Sequence, residues 1–360
     1  MERTEAWIAL DLIPSIGPRT IQKLLEIYHT AENILAAPLS QINALSFLSA
    51  AQKKALAAGV DDAMLAKATE TLDANGGHAV CLGDPHYPEM LRHIADPPSV
   101  LYIKGQLGDL QPAVAIVGTR APSQYGKDMA LRLGRDLSTM GISVVSGLAR
   151  GIDTCAHQGA LQGIAKTVCV LGSGIDTIYP AENSSLAQAI AQQGAVVSEF
   201  PPGTRPDPGN FPRRNRIISA LSTGVIVIEA AYKSGALITA RFAGEQGKCL
   251  MATPGAVTNI RSQGPHHLLR QGAVLVRDAA DVIEEIAPQI KGFIAETENH
   301  SEERDEIITA CSGQALSIDE IAHELHMSIP EVAQKISMLE LSGAIIKVEG
   351  NRFMARSNNG

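Results

Sequence analysis

The chain has 360 residues, 45% of them hydrophobic and 19% charged, with a formal net charge of −8 at pH 7. That length suits two or three domains of ~100–200 residues each, and no apolar run approaches the ~18–20 residues of a membrane span. The start, Met-Glu-Arg-Thr-Glu-Ala-Trp, lacks a basic segment followed by an apolar core, so a soluble cytoplasmic protein without membrane contact is expected. An acidic balance excludes a general basic coat for nucleic acid, and any polyanion site must be a local cluster of arginine and lysine.

Residues 1–75 show helical periodicity, with Ile8, Leu12, Ile21, Leu24, Leu25, Ile34 and Leu35 recurring around Pro14-Ser15-Ile16-Gly17-Pro18. This domain reads as SAM-like or helix-hairpin-helix-like, with either a packing role or amides that meet a DNA phosphate at Ile13–Thr20. From about residue 78 short apolar runs separated by helix-length segments take over: His78–Leu82, Val100–Ile103, Ala113–Val117, Ile142–Ser146, Thr167–Leu171, Ala195–Glu199, Gly224–Glu229, Lys248–Ala252 and Ala273–Val276. Strands alternating with helices predict an α/β core over 76–290, an extended Rossmann-like, doubly wound and mostly parallel sheet. Ser123 reads as the cap of a helix whose Met129, Leu133, Leu137 and Met140 face the sheet.

Residues 291–304, with Glu296, Glu298, Glu302 and Glu303, read as a linker. Helical segments and a hairpin at Gly343–Met354 then predict a winged-helix domain over 305–360. Its presumed recognition segment, Ser328–Leu341, carries Glu331, Lys335 and Glu340, a net charge that opposes major-groove reading and favours a protein-contact or regulatory role. The five cysteines show no CxxC spacing, and Cys81, Cys169 and Cys249 fall inside strand-like runs, so buried free thiols are expected rather than a metal site or disulfide.

In a doubly wound sheet, function gathers on the loops that leave the C-terminal strand ends. That places Gly118-Thr119-Arg120, Ser146-Gly147-Leu148-Ala149-Arg150-Gly151, Gly172-Ser173-Gly174, Phe200–Arg216 and Ala230–Gly235 along one expected rim. The first is a strand-to-helix turn where backbone N–H groups and a bidentate arginine can meet a phosphate, or simply a turn with a surface arginine. The second repeats that geometry. Lys233-Ser234-Gly235, leading into a helix with Thr239 and Arg241, is a third phosphate-type entry, although Ser234 can equally serve as a cap. Asn210-Phe211-Pro212-Arg213-Arg214-Asn215-Arg216-Ile217-Ile218 reads as an opening helical turn with three arginines. Cations there oppose the helix dipole at ~0.3–1 kcal/mol each, so an anion is expected against them, either a phosphate or acids such as Glu199 and Asp207.

Several enzymatic readings weaken on inspection. No GxxxxGK[ST] loop occurs, and Gly172-Ser173-Gly174 supplies only the first two glycines of GxGxxG, so neither a P-loop nor a dinucleotide cofactor is expected. Asp153 and His157, four apart on a helix, pair more readily with each other than with a nucleophile. Glu199 and Glu229 are better suited to orienting rim groups than to acid–base work. His266-His267 has no partner motif.

Taken in order, Tyr87-Pro88, Asp96-Pro97-Pro98, Ile116–Arg120, Val145–Asp153, Tyr179-Pro180-Ala181-Glu182-Asn183, Ser198–Gly203, Phe211–Ile218 and Ser234–Arg241 resemble the DNA-processing protein A family (DprA, also called Smf) of bacteria across roughly residues 76–290. The resemblance implies a Rossmann-like core that binds single-stranded DNA, forms a homodimer and helps load the RecA recombinase during natural transformation, without catalysis or cofactor. It carries the family's phosphate loop onto Gly118, Thr119 and Arg120, where threonine replaces serine, and its basic segment onto Phe211 to Arg216. DNA contacts are accordingly expected from Gly118, Thr119, Arg120, Ser146, Gly147, Arg150, Phe211, Arg213, Arg214, Asn215, Arg216, Lys233, Ser234, Gly235, Thr239 and Arg241. One departure, Gly264-Pro265-His266-His267 where the family has glycine, a small residue and asparagine, puts partner contacts there in doubt. The competing readings are a nucleotide-processing enzyme similar to the phosphoribohydrolases, whose PGGxGTxxE signature is lacking here, and a duplex-binding regulator using the winged helix.

Overall fold

The computed structural model describes residues 3–108, 110, 112–298, 306–312, 314–342, 344–348 and 350–355. The chain opens with helices α1 (Arg3–Leu12), α2 (Pro18–Tyr28), α3 (Ala31–Leu35), α4 (Leu39–Ala44), α5 (Ala50–Ala58) and α6 (Asp62–Ala74). Their starts follow capping chemistry. Pro18 opens α2, where its missing N–H costs nothing, and Ser49 and Gln52 exchange bonds in a capping box before α5.

The chain continues through β1 (Gly77–Cys81), α7 (Glu89–Arg92), β2 (Val100–Gly105), β3 (Ala113–Val117), α8 (Gln124–Thr139), β4 (Ser143–Ser146), α9 (Ile152–Ala160), β5 (Thr167–Val170), α10 (Ser184–Gln193), β6 (Ala195–Ser198) and α11 (Asn210–Ala220). Then come β7 (Gly224–Val227), α12 (Ala236–Glu245), β8 (Cys249–Ala252), α13 (Gln263–Arg270), β9 (Val274–Leu275) and α14 (Ala279–Glu298). Each apolar run named from the sequence lies on a strand. The last elements are α15 (Glu306–Ala310), β10 (Leu316–Ser317), α16 (Ile318–Glu324), α17 (Ile329–Ser342), β11 (Ile345–Val348) and β12 (Arg352–Ala355).

Two compact units divide this chain, one of residues 1–109 and 168–221, the other of residues 110–167 and 222–360. The expected core over 76–290 is therefore shared by both. In the first unit the strand order is β1-β2-β6-β5. Here β1 pairs antiparallel with β2 (Cys81 opposite Val100), β2 antiparallel with β6 (Tyr102 opposite Ser198), and β5 parallel with β6. Against it lies α1, whose Asp11 carboxylate accepts from the Tyr102 hydroxyl at 2.9 Å.

In the second unit the order is β4-β3-β7-β8-β9, and the pairs β3–β4, β3–β7, β7–β8 and β8–β9 are all parallel. β3 and β7 are buried along their whole length, as a sheet covered on both faces requires. Met129, Leu133 and Leu137 of α8 pack with Ile152 and Ala156 of α9 and Ile226 of β7 in one core. Ser123 caps α8, its hydroxyl accepting from Gly126 N–H; Met140, expected on the same apolar face, is instead 42% exposed beyond the end of the helix.

Part of the expected linker is also helical, because α14 extends to Glu298; residues 299–305 lie outside the described residues. The winged-helix reading holds, with β10-β12-β11 as its sheet and Ile307, Ile321, Val332, Ile336 and Phe353 in its core. The acidic presumed recognition helix, α17, packs against α14. Cys81, Cys169, Cys249 and Cys311 are buried and Cys155 is half-buried, all as free thiols; burial pushes Cys169 up to about 12.

Candidate nucleic-acid interface

In the second unit three turns leave strand ends and enter helices, and the first two interlock. Thr119 N–H donates to the Glu229 carbonyl at 2.6 Å, and Ile152 N–H donates to the Thr119 carbonyl at 3.2 Å. The contact is close enough to dictate residue type. A Cβ on Gly118 would stand 2.5 Å from Ile152 Cγ1 and 2.9 Å from the Glu229 carbonyl, while Gly151 has φ +81° with Thr119 O against it. Arg120 and Arg150 project from these turns as exposed side chains.

The backbone donors of the same turns are directed inward. Ser123 N–H and hydroxyl donate to the two Glu229 carboxylate oxygens at 2.8 and 2.6 Å, and Asn259 adds a third bond at 3.3 Å. Glu229, 1% exposed, thus sits at the start of α8, where the helix dipole favours an anion. Asp153 does the same for the next turn, accepting from Gly147 N–H at 3.2 Å and Ala149 N–H at 3.3 Å. That turn holds Leu148 at φ +58°, a conformation that costs a non-glycine residue roughly 1–2 kcal/mol. His157 Nδ1 meets the Thr167 hydroxyl at 2.7 Å inside the core.

At the third turn Lys233 and Gly235 are exposed and Ser234 is half-buried, its hydroxyl accepting from Ala236 N–H at 3.3 Å; the residue that caps α12 is Gly235, with no side-chain bond, and not the Ser234 foreseen. Arg241 is exposed but engages Glu245 at 3.4 Å. Pro265 falls in the first turn of α13, where proline is tolerated, and His266 Nε2 lies 3.0 Å from the Gly255 carbonyl.

The first unit carries the arginine segment. Pro212 is the third residue of α11, not the first, so the arginines sit beyond the turn where the dipole acts most strongly. Arg214 and Arg216 are each 4% exposed. Arg214 Nη1 donates to the Val170 carbonyl and its Nε to Asn215 Oδ1 at 3.2 Å. Arg216 forms a fork with Glu199, Nη1 to Oε1 at 2.9 Å and Nη2 to Oε2 at 2.7 Å, and its Nε meets Asp96 at 3.3 Å. The anion expected against this segment is thus, for Arg216, an internal pair of carboxylates, and Glu199 is the acid named as the alternative. Arg213 differs: it is exposed, with its guanidinium 5.3 Å over the Phe200 ring. Motif pieces distant in sequence meet here, since Tyr87 donates to the Pro98 carbonyl at 2.8 Å beside the Asp96 that Arg216 engages.

The expected DNA contacts therefore separate by placement. Arg120, Arg150, Arg213, Lys233, Gly235 and Arg241 are exposed, and Gly118, Thr119, Phe211, Asn215 and Ser234 half-buried. Ser146, Gly147, Arg214, Arg216 and Thr239 are enclosed. Ser146 donates to the Ile116 carbonyl at 2.6 Å, and Thr239, 1% exposed, lies on the buried face of α12. One exposed aromatic was not singled out as a contact: Tyr179, 41% exposed, whose ring centroid lies 5.7 Å from that of Phe211.

Comparison with known proteins agrees with this geometry. Residues 78–287 match the family described as DNA recombination-mediator protein A, and residues 295–351 match the DprA winged helix domain. Protein Smf of Escherichia coli K12 is 38% identical over 296 residues, 79% of each chain. DNA processing protein DprA of Streptococcus pneumoniae R6 is 42% identical over 227 residues, 63% of this chain and 78% of that one. An X-ray structure of Streptococcus pneumoniae DprA superposes with a TM-score of 0.69 at 36% identity, covering 79% of this chain and 99% of that chain. The DNA processing protein A structure from Helicobacter pylori gives 0.52 at 32% identity, covering 60% and 96%. With family matches over the core and the winged helix, the chain belongs to the DNA recombination-mediator protein A (DprA/Smf) family.

Proposed function

We propose that this chain binds single-stranded DNA through its phosphate backbone, with little regard to sequence, and hands it to the RecA recombinase. The observation that carries the reading is the sorting of charge on the second unit's turns. Glu229 and Asp153 already occupy the anion positions at the starts of α8 and α9, while Arg120, Arg150 and Lys233 are exposed. A mononucleotide enzyme needs those backbone donors for a phosphate, so the arrangement favours side-chain contacts to an extended polyanion. The Helicobacter pylori relative is described for a unique single-stranded DNA binding mode, which supports the same choice. Arg213 of the first unit is a further phosphate contact in this proposal. A homodimer and a cytoplasmic setting during natural transformation belong to it as well.

The test is a titration of a labelled oligo-dT against protein at several salt concentrations. Affinity should fall with salt, and each lost phosphate contact should flatten the log–log slope by about 0.7. The triple variant Arg120→Ala, Arg150→Ala, Lys233→Ala should bind weakly and with a slope reduced by about 2. Near-normal affinity of that variant at moderate salt would overturn the assignment. Faster RecA filament growth on a coated strand tests the mediator step.

A further inference from the structure

The aromatic pair in the first unit leaves its outer ring largely uncovered. Tyr179 keeps 41% of its surface exposed, although burying a tyrosine ring would remove a large apolar area from water. Its ring is tilted 42° to that of Phe211, with centroids 5.7 Å apart. Phe211 in turn is seated on the chain at Gly172, where a Cβ would lie 2.7 Å from its ring. One aromatic is thus wedged and half-buried, and the other stands outside it.

The stretch that leads to Tyr179 is tied down over residues 173–177. Thr177 N–H donates to the Gly174 carbonyl at 3.0 Å and the Ser173 hydroxyl to the Thr177 carbonyl at 2.6 Å. Gly174 N–H reaches the Thr204 carbonyl at 2.8 Å, and Gly203 N–H reaches Asp176 Oδ1 at 2.8 Å. A ring held this way loses little freedom when a flat partner covers it. Two residues beyond Phe211 on α11, Arg213 is exposed and lies over Phe200. An exposed ring and an exposed guanidinium are therefore carried by one compact unit. That combination fits a nucleotide unit, whose base has a π-face and whose phosphate is anionic.

Resting on the single-strand reading above, we propose that Tyr179 is a nucleobase-stacking residue, its ring backed by Phe211. A protein segment or a second copy of the chain would offer neither a repeated flat face nor a phosphate for Arg213. Stacking of this kind tolerates any base, because every base has a π-face, so Tyr179 adds affinity without sequence choice.

The experiment compares oligo-dT with a strand of the same length carrying abasic sites, on full-length wild type, Tyr179→Ala, Tyr179→Phe and Arg213→Ala, each checked for an unchanged thermal midpoint. Wild type should prefer the base-bearing strand. Tyr179→Ala should lose about tenfold on oligo-dT and nearly nothing on the abasic strand, with an unchanged salt slope, whereas Tyr179→Phe should stay within about twofold of wild type. Arg213→Ala should instead weaken both strands and flatten the slope. Equal loss on both strands for Tyr179→Ala, or no loss at all, would overturn the stacking role while leaving single-strand binding intact. Failure of wild type to bind either strand would overturn the underlying reading instead.

Discussion

Replacing Arg216 with methionine separates the arginine that is paired inside the fold from Arg213, the one proposed to meet DNA. The substitution removes the fork to Glu199, whose side chain is 3% exposed, and the contact to Asp96, 32% exposed. Methionine fills much of the volume, so the loss is chiefly electrostatic: a buried carboxylate keeps its desolvation cost and loses its counter-charge. Breaking a buried pair in this way costs about 3–5 kcal/mol, a large share of the ~5–15 kcal/mol that holds a domain folded. The single tryptophan, Trp7, is buried in α1 of the same unit, so its fluorescence reports that unit's unfolding. With a urea slope of ~2–3 kcal/mol/M the midpoint should fall by about 1–2.5 M. The double variant Glu199→Gln, Arg216→Met should recover part of the loss, since no fully buried charge is left bare and Asp96 stays partly exposed to water. Arg213→Ala on the neighbouring residue should leave the midpoint within ~0.5 kcal/mol of wild type while weakening oligo-dT binding. The reasoning is refuted if Arg216→Met unfolds at the wild-type midpoint, or if Arg213→Ala is the more destabilised of the two.

Two further outcomes follow from the geometry. Burial raises Asp11 to about 7 from an ordinary value of 3.8, outweighing the opposing Tyr102 hydrogen bond, with Glu199 pushing upward and Arg213 downward. Between those values the folded chain binds more protons than the unfolded one, so this group's stabilising share is complete below about pH 4 and is lost as pH rises through about 7. Asp11→Asn should therefore gain on wild type by ~1–3 kcal/mol between pH 5 and pH 8, read from urea unfolding at each pH; parallel curves would reject the claim. Gly118→Ala should lower thermal stability by about 1–3 kcal/mol through overpacking, and trimming Ile152 to alanine in the same chain should not restore it, because Ile152 Cβ and the Glu229 carbonyl would still stand 2.9 Å from the new methyl. An unaltered melting temperature for Gly118→Ala would mean the two turns are looser than their contacts indicate.

The strands were legible because a sheet covered on both faces demands continuous apolar runs, and Val114–Val117 and Val225–Val227 have no other reading. The α8 cap was legible for the same kind of reason, as serine at that position answers a known backbone need. The arginine segment was not. An arginine in sequence carries no sign of whether its fork meets a phosphate or a buried carboxylate, and Glu199 lies in a separate strand end. A partial signal existed: Arg214, Ile217, Ile218 and Leu221 follow the three-four spacing of one helix face, and Ile217 and Ile218 are core, which already placed Arg214 on the inward stripe. Tyr179, quoted only as part of a motif, was not read as an exposed ring because periodicity says nothing about a loop residue whose exposure is set by the turns around it.

The placement of acids explains how a chain of net charge −8 can carry exposed cationic side chains on its loops, as the proposed binding of DNA requires. Four acidic side chains near the expected contacts are spent on the protein's own donors, each within its own unit: Glu229 on Ser123, Asp153 on Gly147 and Ala149, Asp176 on Gly203, and Glu199 on Arg216; Glu245, exposed beside Arg241, is the exception. Each of the four satisfies a backbone N–H or a buried guanidinium, and each thereby withdraws a negative charge from the loop surface. The same bonds that order the turns leave arginine and lysine as their outward charges at 120, 150, 213 and 233. Local potential and net charge are thus set by different residues, and removing an inward acid would disorder the turn before it altered the field seen by a strand of DNA.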